Sequence, residues 1–104
     1  MSNDSGAARD PLARRSPQLI AALLDAINDD PEPIPWTDLV NAFTGGKYAP
    51  RTIEATIHDL VAYGAIHRTG TAATRHRPDT RNLRPTPLGH AWWTGTNPPE
   101  RPKP

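Results

Sequence analysis

The stretch APRTIEATIHDLVAYGAI, residues 49–66, decides how the rest of the chain must be arranged. Pro50 sits where a helix can begin, because its missing N–H costs nothing in the first turn and its fixed φ suits the helix. Ile53, Ile57, Leu60 and Val61 then recur on one face at helical spacing. Gly64 can supply the left-handed residue that closes a helix, and Ile66 restarts the chain as something extended. The opposite face carries Arg51, Thr52, Ala55, Thr56, His58 and Asp59, small or polar throughout. A helix expected over 50–64 therefore has one face to pack and one to present.

Upstream, Ser16-Pro17 pairs a hydroxyl N-cap with a first-turn proline. Leu19, Ile20, Leu23, Leu24 and Ile27 follow as a broad amphipathic stripe, which Asn28-Asp29-Asp30-Pro31 stops. The PEPIP segment, 31–35, is extended because each proline pushes its predecessor out of the α region, and Ile34 can supply a short strand. Thr37 is the expected cap of a second helix, with Asp38 in its first turn, Trp36 as a preceding hydrophobic staple and Leu39, Val40 and Phe43 as its buried face. That helix ends at Thr44-Gly45-Gly46. Two short helices joined by a glycine-containing turn make a helix-turn-helix arrangement, here with a longer turn than the simplest examples.

Downstream, Ile66-His67-Arg68-Thr69 alternates as a strand. Residues 70–82, GTAATRHRPDTRN, have no apolar periodicity and read as a long hairpin tip. A return strand is expected near Arg81–Arg84 with Leu83 inward, short or at a sheet edge because Pro85 and Pro87 cannot donate to a ladder. Thr86 then caps a brief helix with Pro87 at its first position, Leu88, Ala91 and Trp92 on one face, and Gly95 as its stop.

Composition bounds the rest. The chain has 104 residues, no cysteine and a net charge of +1. Disulfides and thiolate metal sites are excluded, and neither a signal peptide nor a membrane-spanning run is recognisable, so a cytoplasmic location is expected. Residues 1–15 lack apolar periodicity, and 96–104 consist of Thr96 and the Pro-rich NPPERPKP, residues 97–104. Both are expected to be disordered tails flanking one domain at 16–95. About 80 residues make a marginal core, which dimerisation would help. Charge is divided unevenly: residues 1–46 hold three arginines against seven acids, a net −4, whereas 47–104 hold nine lysines and arginines against four acids, a net +5. Arginine outnumbers lysine ten to two, which a GC-rich genome would also produce, but arginine's planar fork suits phosphate and guanine in either case.

The sequence PRTIEATIHDLVAYGAI, a hairpin, and then TPLGHAWW resembles winged helix-turn-helix regulators, broadly of the MarR and PadR type, over residues 16–93. In those proteins the recognition helix ends in a comparable Leu…Gly-Ile corner, and a Thr-Pro-x-Gly helix start follows the wing. Pro85 departs from the pattern, standing where the family carries an aliphatic strand residue. The resemblance implies a mainly α fold: a three-helix core, a two- to three-stranded antiparallel sheet whose β-hairpin is the wing, and a short C-terminal helix. It also implies binding to double-stranded DNA as a transcriptional regulator, and a homodimer.

On that reading Arg51 and Thr52 stand at the end of the helix that enters a major groove, with Arg51 able to bond guanine bidentately. Thr52 and Thr56 can touch a phosphate or a thymine methyl, Ala55 lets the helix approach closely, and Lys47 and Tyr48 are phosphate contacts. Arg68, Arg75, Arg77, Arg81 and Arg84 crowd a stretch whose one acid is Asp79, and would lie over the backbone or a minor groove. The plainer alternatives are a solvated loop and an Arg51–Glu54 ion pair along the helix. Glu54 and Asp59 oppose phosphate binding, and with the modest net charge they favour the alternative function, an adaptor that grips a protein and not DNA. His67 and His76 would gain positive charge on mild acidification and strengthen DNA binding. The four histidines, 58, 67, 76 and 90, match no compact metal spacing, and no cofactor, effector or catalytic constellation is indicated. Trp93, adjacent to a core Trp92, is either partly exposed packing or a dimer anchor.

Overall fold

The first helix among the described residues begins where its sequence provides a cap. In the computed structural model, which describes Leu12 and residues 15–94, the Ser16 hydroxyl accepts a hydrogen bond from the Leu19 amide at 3.2 Å. Helix α1, Pro17–Asp29, follows with Pro17 in its first turn. Strand β1 is Ile34–Pro35. Helix α2, Trp36–Phe43, comes directly after it, and helix α3, Pro50–Tyr63, is followed by strand β2, Ile66–Thr69. Strand β3, Asn82–Pro85, and helix α4, Pro87–Thr94, complete the described residues. The architecture is mainly helical, with four helices and one small three-stranded antiparallel sheet among the described residues.

The sheet order is β1-β3-β2, so the return strand lies in the centre and not at an edge. Its prolines are tolerated because the ladder is short. Pro85 pairs only with Ile66, since β1 reaches no further than Ile34 opposite Leu83 and Pro35 opposite Asn82. Ile34–Pro35 is thus a real if minimal strand, and Pro35 occupies an edge, where a missing donor is tolerated.

Helix α2 starts two residues earlier than its hydroxyl suggests. Trp36 is inside the helix, the N-cap is Pro35, and no side chain caps it, so Thr37 is not the cap. The Trp36 amide instead donates to the Arg81 carbonyl at 2.9 Å, joining β1 and the start of β3. This uses one of the donors that a helix start leaves free.

Leu19, Ile20, Leu23, Leu24 and Ile27 from α1, Trp36, Leu39 and Val40 from α2, and Ile53, Ile57 and Leu60 from α3 form one core with Ile66, Leu83 and Trp92. Phe43 and Val61 pack at its margin. The core extends past the expected domain edge at Ser16. Leu12 is fully buried in it, worth about 2 kcal/mol by transfer, and Arg15 forms an ion pair with Asp59 on α3. The rest of the expected tails, and the Gly95 helix stop, lie outside the described residues. No helix among the described residues is long and apolar enough to cross a membrane.

The tightest joint is where α3 ends and α4 begins. Gly64 takes φ +95°, and its amide returns to Leu60 and Val61. The Thr86 hydroxyl donates to the Gly64 carbonyl at 2.5 Å and accepts from the Gly89 amide at 3.0 Å, so one side chain caps α4 and fastens it to the corner. Gly89 faces the same corner: a Cβ there would stand 1.9 Å from the Ala65 carbonyl oxygen. The Thr-Pro-x-Gly sequence thus has a local cause, a cap, a helix start and a close approach.

Candidate nucleic-acid interface

Helix α3 packs Ile53, Ile57 and Leu60 inward, which leaves Arg51, Thr52, Glu54 and His58 exposed and Ala55 half-buried. Arg51, Ala55 and His58 follow one another along a single stripe. Among the described residues Arg51 makes no ion pair with Glu54, and its guanidinium is exposed. Lys47, in the turn before the helix, is exposed as well. Tyr48 is half-buried against the core, with its hydroxyl 3.1 Å from that of Ser16, so it ties the turn to the start of α1.

Thr56 is no surface contact. It has no exposed surface, and its hydroxyl donates to the Thr52 carbonyl one turn back at 2.7 Å. That back-bond lets a polar side chain sit in the core with its donor satisfied. Asp59 is also absent from the presented face. It is half-buried and engaged by Arg15, so of the two acids that oppose a phosphate only Glu54 is exposed on α3.

The sheet sorts the neighbouring cations by strand alternation. Arg68 lies opposite Leu83 and His67 opposite Arg84. Cross-strand partners share a face, so Arg68 is on the core-facing side with Ile66 and Leu83, toward α3, while His67 and Arg84 share the outer side. In agreement, Arg68 Nη1 lies 3.4 Å from His58 Nδ1. The exposed stripe of α3 therefore runs directly into β2. Arg75 and Arg77, in the hairpin tip, are exposed and free of ion pairs among the described residues.

Arg81 differs from these. Its guanidinium holds the Asp79 carboxylate through Nε at 3.0 Å and 3.2 Å and Nη2 at 2.7 Å, and lies 4.1 Å from the centre of the Trp36 ring. These hydrogen bonds hold the Asp79 carboxyl below its ordinary value and raise Arg81, with the nearby charge of Glu54 adding to the latter. Arg81 is not available as a free wing contact. The hairpin's one acid is neutralised by the same pair.

Trp93 is half-buried, and its indole N–H donates to Asp25 on α1 at 3.0 Å. No group of three histidine, aspartate or glutamate side chains among the described residues is placed to hold a metal ion. No protein-family model, characterised protein or solved structure matches the chain.

Proposed function

We propose that the chain is a winged helix-turn-helix protein that binds double-stranded DNA sequence-specifically and acts as a transcriptional regulator. Helix α3 enters a major groove, and the hairpin between β2 and β3 is the wing, its arginines on the adjacent backbone or minor groove. The observation that carries this reading is the continuity of one exposed surface. Arg51, Ala55 and His58 on α3 lead through the His58–Arg68 contact onto β2, whose hairpin carries the exposed Arg75 and Arg77, while Asp59 and Asp79 are internally paired. A surface on which the cations are exposed and, among the described residues, only one acid, Glu54, is left unpaired suits a polyanion. The succession of helices and the β1-β3-β2 order support the same reading.

Roles follow from placement. Arg51 and Thr52 contact bases, Ala55 permits close approach, and Lys47, Arg68, Arg75 and Arg77 contact phosphates or the minor groove. Homodimerisation is part of the proposal, because a helix-turn-helix reads a two-fold site with two copies. Selection of bound sites from random duplex DNA tests it. Recovery of a common motif with two-fold symmetric half-sites is expected. Recovery of unenriched sequence would remove the specific reading, and a complete lack of retention would favour the protein-binding adaptor, for which the exposed Glu54 speaks.

A further inference from the structure

The hairpin narrows to a neck immediately before β3. The Thr80 amide donates to the Thr71 carbonyl at 2.9 Å, and the Thr71 amide donates to the Thr80 hydroxyl at 3.0 Å. Directly after this neck, Arg81 is gripped from several directions. Its own amide donates to Asp79 Oδ1 at 3.0 Å, its side chain forks onto the same carboxylate, and its guanidinium covers Trp36. Its carbonyl accepts from the Trp36 amide, and the Trp36 ring lies 4.9 Å from that of His58 on α3. Trp36 is buried, so the hairpin is tied to a rigid part of the core.

We propose that Asp79 and Arg81 form a clasp on Trp36 that fixes the direction in which the hairpin tip leaves the sheet, making Arg81 a positioning residue for DNA binding. The inference rests on the DNA-binding reading above. Its consequence runs against simple electrostatics. An acid in a cationic loop ordinarily weakens binding to a polyanion, whereas here Asp79 supports binding by holding the loop that carries Arg75 and Arg77.

The test uses the full chain and a fluorescent random-sequence duplex, titrated at two salt concentrations. Asp79→Asn is expected to bind about tenfold more weakly than the native chain, although it is one unit more positive. Arg81→Lys, which keeps the charge but loses the fork and the stack, is expected to fall by a similar factor. The double variant is expected to be little worse than either single one, because both break one unit. Should Asp79→Asn fail to fold, Arg81→Lys carries the comparison, with thermal melting monitored for each protein. Tighter binding by Asp79→Asn, near-native binding by Arg81→Lys, or additive losses would each overturn the clasp while leaving the DNA-binding reading intact. A lack of duplex binding by the native chain would overturn that reading, and the clasp's role in DNA binding with it.

Discussion

Two regions of this molecule use small and polar residues for opposite ends. At the corner between α3 and α4, Gly64, Thr86 and Gly89 let backbones approach to the limit of contact, and no charge is involved. In the hairpin tip, residues 71–78, every side chain is exposed, and Arg75 and Arg77 have no ion-pair partner among the described residues. Threonine and glycine in the first region are constrained by packing. Arginine in the second is free to meet a ligand. The corner serves stability and, on the proposed reading, the tip serves binding, so the two should respond separately to substitution.

The sharpest way to break that separation is Gly89→Ala. With a carbonyl oxygen 1.9 Å from the new Cβ, α4 must shift, at an expected cost of about 3 kcal/mol or more by urea denaturation. A loss within 0.5 kcal/mol would mean that the corner is looser than its geometry. Arg51→Ala should do the reverse. Melting should remain native, while discrimination at the base it reads falls by about 1–3 kcal/mol in competition binding. Equal loss on every sequence would make Arg51 a backbone contact.

Acidification probes the hairpin's link to the core. Because Arg81 lowers the folded pKa of Asp79, its contribution is fully present above the ordinary carboxylate range and is lost as pH falls through that lowered value. The Arg81 Nε–H resonance should therefore hold from neutral pH to 5 and change only below about 4. A change between pH 7 and 5 would assign the linkage to another group. The smallest expected effect is on binding by Thr56→Val. This buried residue lies off the presented face, so duplex affinity should stay within about twofold, a difference below 0.5 kcal/mol.

Much of the fold was legible because periodic segments announce themselves. The α1 stripe, the α3 face, the Ser16 cap and the Gly64 stop each follow from local pattern. Leu12 did not, since one leucine beside a proline and among arginines has no period, and only the packed core gives it a place. The central position of β3 was equally hidden, because a strand as short as Ile34–Pro35 carries no alternation. Within the candidate surface, Arg51, Thr52, Arg68, Arg75 and Arg77 lie exposed where their residue types suggested, but Thr56 and Arg81 do not. Thr56 looked presentable because its hydroxyl is polar, yet that hydroxyl is satisfied within its own helix. Arg81 looked like its neighbours until an irregular turn brought Asp79 and Trp36 against it. The Asp-x-Arg spacing was the one available signal, since an aspartate often bonds the amide two residues on.

The central claim, that the surface from α3 through the hairpin meets a polyanion, is tested most directly by the salt dependence of duplex binding, native chain against the double variant Arg75→Glu/Arg77→Glu. With Lys47, Arg68, Arg75 and Arg77 on phosphates, the native slope of log Kobs against log salt should be about −3.6, falling to about −1.8 or less in the variant, with melting unchanged. Identical affinities and slopes for the two proteins, or no binding by the native chain at low salt, would contradict it.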